Sequence, residues 1–206
     1  MKVAVDGGRR RDERFDHLVA IHEAGHALVG VEVGIAIRHL DLDAGETVQM
    51  EIPSTLTLSD IHARITLAMG TLAMGGRAAE EALLGSASTG ATSDHGKAAS
   101  EALCVLGSGL SGPMVGVMNV ESALLDPAVR RRVDEMVANG LERARAIVRA
   151  RIADLRHLAA VAQRERYLYG AEIAAVLGNP ISEKNKPENL IPEPETDSPS
   201  FVCDND

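Results

Sequence analysis

The chain has 206 residues, 45% of them hydrophobic but only 2% aromatic, and a formal net charge of −9. That length suits one domain with a sizeable core, and the acidic balance argues against a nucleic-acid partner. Its two cysteines, Cys104 in an apolar run and Cys203 near the end, make no disulfide framework and fit a reducing cytoplasm. With so few aromatics the core has to be built from Ala, Leu, Val, Ile and Met, which suits closely packed helices, so a mainly α fold is expected.

Residues 1–14 read as a lead-in: their arginines have no apolar segment behind them, unlike a secretory signal. Phe15, Leu18, Val19, His22, His26 and Val29 then follow the three-and-four spacing of one helix face, with Asp12 or Asp16 as cap and an end near Gly30 or Gly34. Ile35–Leu42 and Thr47–Ile52 alternate as strands around the turn residues Asp43-Ala44-Gly45, which predicts a small β-hairpin. A helix capped by Ser59 or Asp60 runs to Met74, where Gly75-Gly76 either breaks it or lets another backbone approach, and Ala78–Leu84 continues helically. After a small-residue loop over Gly85–Gly90, Ser93-Asp94 precedes a helix expected from about Lys97 to Leu106, and Gly107–Gly116 reads as loop.

Asp126-Pro127 starts a long helical pattern reaching Leu158, too long for one ordinary helix, so a bend near Asn139-Gly140 or a break near Ile152 is expected. The ten arginines over 130–166 recur at many angles and read as a solvated helix surface. Ala171–Leu177 is a last short helix. From Ser182 the chain holds four prolines, many acids and few core formers, and residues 182–206 read as an acidic disordered tail. The longest uncharged run, Ala102 to Val120, is interrupted by glycines, Pro113 and Asn119, so no membrane span is expected.

The chemistry concentrates in His22-Glu23-Ala24-Gly25-His26. Imidazoles at i and i+4 lie side by side on a helix with room for one metal ion, a nitrogen pair that suits Zn2+. Glu23, next along the helix, projects toward the open position of such an ion, where a carboxylate can move a proton from water to a leaving amine. The third ligand separates the families. Val29 and Glu32 stand where a metzincin has Gly and His, which excludes that pattern. Glu46 and Glu51 lie in the range of a thermolysin-like ligand but fall in the predicted hairpin, and Asp94, at a helix mouth, is the remaining candidate, although an Asp there is by itself more often a plain N-cap.

The sequence resembles the peptidase domain of FtsH-type zinc metalloproteases over roughly residues 15–178. That family has HEAGHA in its zinc helix, then GGRAAEE and TGAxxD segments, matched by His22–Ala27, Gly75–Glu81 and Thr89–Asp94; Gly109-Leu110-Ser111 is similar to its GMS turn. The resemblance implies a helical-bundle, zincin-like domain over 15–181 with His22, His26 and Asp94 as zinc ligands. It also implies polypeptide substrates, a ring of six copies, and an ATPase. No ATPase module is present in the sequence, since Gly90 to Ala98 fails the phosphate-loop pattern, so a separate ATPase is the expected partner. His95 stands where the family has an apolar residue and is expected at the surface. Arg77 with Glu80 or Glu81 is expected to form a network behind the ligands.

The resulting expectation is a cytoplasmic, zinc-dependent endopeptidase acting on flexible or unfolded polypeptides. The alternative is a non-cleaving, metal-binding scaffold of the same fold, against which an intact Glu23 counts. The strand residues Thr47, Val48, Gln49, Met50 and Glu51 are expected to bind substrate by pairing main chain with main chain.

Overall fold

The computed structural model describes residues 12–49, 69–107 and 126–178. The expected helix from Ser59, Met50 and Glu51 of the substrate strand, Gly109-Leu110-Ser111 and the acidic tail lie outside them. The described residues are mainly α with one small antiparallel sheet.

Helix α1 spans Glu13–Glu32. Asp12 rather than Asp16 caps it, its carboxylate accepting the amide of Arg14 at 3.1 Å. The helix runs through Gly30 and stops where Gly34 takes a left-handed φ of 83°, while Ile35 N–H closes back on the Gly30 carbonyl at 2.8 Å. Strand β1, Ile37–Asp41, and strand β2, Glu46–Gln49, form the expected hairpin, with β2 beginning one residue earlier than its alternation suggests.

The sheet has a third member that the periodicity did not announce. Strand β3, Tyr167–Tyr169, pairs antiparallel with β1 and makes the order β2-β1-β3, so β2 is an edge among the described residues. Its signal was present in the alternation Tyr-Leu-Tyr before Gly170, with Leu168 buried and both tyrosines exposed, but three residues are too short to stand out.

A helical segment over 69–73 passes through a turn at Met74 into helix α2, Gly75–Leu84. Helix α3, Ala91–Gly107, begins well before the expected Lys97, so Asp94 sits inside its first turn and not at its N-cap. Helix α4, Pro127–Ala150, runs unbroken through Asn139-Gly140, so of the two expected interruptions it is the one near Ile152 that forms. Gly140 instead admits close packing, a Cβ there lying 3.3 Å from the Gly70 carbonyl oxygen. The break falls at Arg151, before helix α5, Ile152–Glu165, as the excess length required. Helix α6, Gly170–Val176, completes the described fold.

α1 is the centre of the packing, with α2 and α5 as its main partners. Its second half is buried almost all round, from Val19 to Gly30, and Leu28, Met74, Leu106, Leu155 and Leu158 are among the largest fully enclosed side chains. α1 and α2 meet through glycine. A Cβ on Gly75 would lie 2.6 Å from the carbonyl oxygen of Gly25 and 3.0 Å from the Cα of His26, so the two backbones touch. Arg166, at a φ of 64°, ties the hairpin to this helix: its guanidinium holds Asp43 in the turn and Asp16 of α1, the latter at 2.9 Å.

Gly75→Ala should therefore lower stability by about 2–3 kcal/mol, because backbone atoms cannot yield as a flexible side chain can. Gly96→Ala, facing open space within α3, should raise it by about 0.5–1 kcal/mol through helix propensity. Urea titration of the two variants measures both signs.

Candidate metal centre

His22 and His26 project from the same face of α1, one turn apart, and Asp94 comes to them from α3. His22 Nε2 is 3.0 Å from Asp94 Oδ2, His26 Nε2 is 3.2 Å from the same oxygen, and the two Nε2 atoms are 3.0 Å apart. These three side chains form the one group among the described residues with the residue types and spacing to hold a metal ion.

The other ring nitrogens decide what these atoms can be. His26 Nδ1 is 2.9 Å from the carbonyl oxygen of Leu72, which can only accept, so Nδ1 carries the hydrogen and a neutral ring leaves a lone pair on Nε2. His22 Nδ1 donates likewise to Glu80 Oε1 at 2.6 Å. Two imidazole lone pairs and a carboxylate oxygen then converge with no hydrogen between them, an arrangement that only a shared cation reconciles. The donor set, two nitrogens and one oxygen, fits a zinc ion with a position left open.

Without a metal, a proton takes that place. Burial works to lower the His22 pKa, but the hydrogen bond to Asp94, the charge of Glu23 and the bond to Glu80 outweigh it and hold the ring at about 9. Burial works the opposite way on Asp94, and the two histidines overcome it, keeping that carboxyl well below the usual carboxylate range. Asp94 is 3% exposed. Its other oxygen, Oδ1, accepts from Lys97 Nζ at 3.2 Å.

Glu80 is completely buried on α2, and both its oxygens are engaged. Oε1 accepts from His22 Nδ1 and from Ser88 Oγ at 2.9 Å, and Oε2 accepts the Ser88 amide. Gly76 lies flat against the His22 ring, where a Cβ would come within 2.5 Å of Cε1. The ring is thus fixed from two sides. Of the two expected partners Arg77 takes Glu81, at 2.9 Å, and Arg145 joins it at 2.7 Å, so this ion pair forms but Glu80 alone reaches His22.

A cleft of about 790 Å³ opens over these groups. Glu23, 5% exposed, lines it, and among the described residues its carboxylate has no hydrogen-bond partner. Thr47, Val48 and Gln49 of β2 form one bank, and Thr47 Oγ1 donates to the Glu23 carbonyl at 3.0 Å, which fixes the edge strand to the helix at that residue. Glu46 also lines the cleft, but it belongs to the sheet end near His39, at 3.7 Å, and not to the His–His–Asp group. His95 is exposed, as expected.

The sequence reading named His22, Glu23, His26 and Asp94, and the structure brings these four around one cleft. It passed over Ser88, the Leu72 carbonyl and the Thr47 hydroxyl, which no spacing rule reveals because each reaches the site from a separate segment.

Comparison with known proteins points to one group. An ATP-dependent zinc metalloprotease FtsH of Acidothermus cellulolyticus is 31% identical over 205 residues, covering 84% of this chain and 30% of its own length. The protein of that name from Methylococcus capsulatus is 29% identical over 191 residues, with 78% and 29% covered. FtsH 1 of Sorangium cellulosum is 33% identical over 147 residues, with 60% and 23% covered. No protein-family model matches. The chain spans less than a third of the length of these relatives, and what they share with it is an FtsH-related region. No helix among the described residues is long and apolar enough to cross a membrane.

Asp94→Ala should abolish stoichiometric zinc binding while Glu46→Ala leaves it unchanged, and Glu80→Gln should weaken affinity about 10–100-fold by loosening the His22 ring. Titration against a chromogenic zinc chelator ranks the three; an order with Glu46→Ala worst would transfer the third ligand to the strand.

Proposed function

We propose that the chain is a zinc-dependent endopeptidase acting on flexible or unfolded polypeptide, with His22, His26 and Asp94 holding the metal and Glu23 as general base. The observation that carries this reading is the pairing of a donor cluster that needs a cation with the Glu23 carboxylate, which has no hydrogen-bond partner among the described residues, both opening into a cleft lined by β2, an edge strand among the described residues. Zinc, when bound, supplies a Lewis acid that polarises the scissile carbonyl. Glu23 takes a proton from the attacking water and delivers it to the leaving amine nitrogen. Asp94 and the two imidazoles hold the ion, and Glu80 fixes the orientation of His22.

β2 supplies the substrate rail. As an edge strand it offers main-chain groups to an extended peptide, so Thr47, Val48 and Gln49 bind backbone and impose little side-chain selection. Only a chain that is already extended can lie there. Folded proteins would therefore need unfolding first, and a separate ATPase is the partner proposed for that step. The names of the relatives, which join ATP dependence to a zinc metalloprotease, support this division of labour. A ring of identical copies and a cytoplasmic setting belong to the same reading. A metal-binding scaffold would have no use for Glu23: a purely structural site needs no buried base beside it.

Glu23→Gln should keep zinc at one per chain and lose at least a hundredfold in hydrolysis of unfolded casein, because an amide can hold water but cannot take its proton. Wild-type protein loaded with zinc that leaves casein and a peptide library intact would overturn the peptidase reading.

A further inference from the structure

The metal ligands occupy only the middle of the cleft, and α1 continues its wall toward the N-terminus. Phe15, Leu18 and Val19 line the cleft together with His22, Glu23 and His26, at the spacing that keeps side chains on one helix face. Phe15 is 51% exposed there, one of two phenylalanines in a chain that otherwise builds its core from aliphatic residues.

The edge strand and the helix run side by side in the same direction. A Cβ on Gly45 would lie 3.6 Å from Val19 Cγ1, and Thr47 Oγ1 meets the Glu23 carbonyl at 3.0 Å. Two strand residues advance roughly 6.6 Å and four helical residues roughly 6 Å, so the match holds along both elements. A peptide paired with β2 therefore travels along α1. From His22 back to Leu18 the helix covers about 6 Å, and back to Phe15 about 10 Å, distances that an extended peptide spans in roughly two and three residues.

We infer that Phe15 and Leu18 form an apolar subsite that selects a bulky aliphatic or aromatic side chain two to three residues from the scissile bond, on one side of it only. This rests on the peptidase reading and names the substrate class within it. Backbone pairing along β2 is indifferent to sequence, so this patch supplies the selectivity that the strand does not. A hydrophobic pocket of this kind discriminates by about 10–200-fold.

The test is cleavage by the zinc-loaded full chain of paired peptides that differ only in Leu or Gln at the positions two and three residues on either side of the cut. Wild type should show a ratio of kcat/KM, Leu over Gln, of about tenfold at one such position; Phe15→Ala should collapse that ratio, and Phe15→Leu should retain most of it. A ratio that is the same in Phe15→Ala as in wild type, or equal preference on both sides of the cut, overturns the subsite. If wild type cuts none of the peptides, the peptidase reading fails separately, and fluorescence anisotropy of the same peptides on zinc-loaded Glu23→Gln protein decides this inference. Tighter binding of the Leu peptide that disappears with Phe15→Ala supports the subsite; equal or absent binding rejects it.

Discussion

Backbone contact between α1 and α2 at Gly25 and Gly75 is the constraint on which the rest of the structure depends. Helices that carry ordinary side chains at their crossing sit 8–10 Å apart, and a methyl on either glycine would strike main-chain atoms of the other helix. The closeness is what lets Gly76 lie on the His22 ring, Glu80 reach its Nδ1, and the Leu72 carbonyl take the Nδ1 hydrogen of His26. Both rings are oriented by groups on the α2 side, and that orientation turns both Nε2 atoms toward Asp94.

The electrostatics follow from the same packing. Glu23, Glu80 and Asp94 are all buried near two imidazoles, and a cluster so acidic is sustained only with positive charge at its centre. In the metal-free chain that charge is a proton on His22, and in the proposed enzyme it is zinc. Glu80 spends both oxygens on His22 and Ser88, and Asp94 spends one on Lys97, which leaves Glu23 as the buried carboxylate without a hydrogen-bond partner among the described residues.

The sheet is small but does two things. β1 is held in the middle by β3, which comes from the far end of the described chain, and this makes β2 an edge strand among the described residues. Thr47 fastens that edge to the helix at Glu23, and Arg166 fastens the turn to Asp16 and Asp43. The left-handed backbone at Arg166 carries a cost a glycine would avoid, and the ion pairs it makes explain why a charged residue stands there.

Local chemistry written into consecutive residues was legible from the sequence alone. The period of α1, the His-Glu-Ala-Gly-His spacing, the Asp126-Pro127 start of α4, the hairpin turn and the dominance of helix all follow from neighbours within a few positions, where geometry is nearly rigid. Asp94 was one of three candidates from the residues, and only resemblance singled it out, because 68 residues separate it from His26 and spacing carries no information over such a span. Tertiary structure alone decided that α3 starts at Ala91 and aims Asp94 at the histidines, that Gly140 packs where a bend was expected, that Arg77 turns away from the site while Glu80 enters it, and that Tyr167–Tyr169 joins the sheet. Each of these turns on which distant backbone arrives beside a residue, and that is set by how the whole core fills its volume.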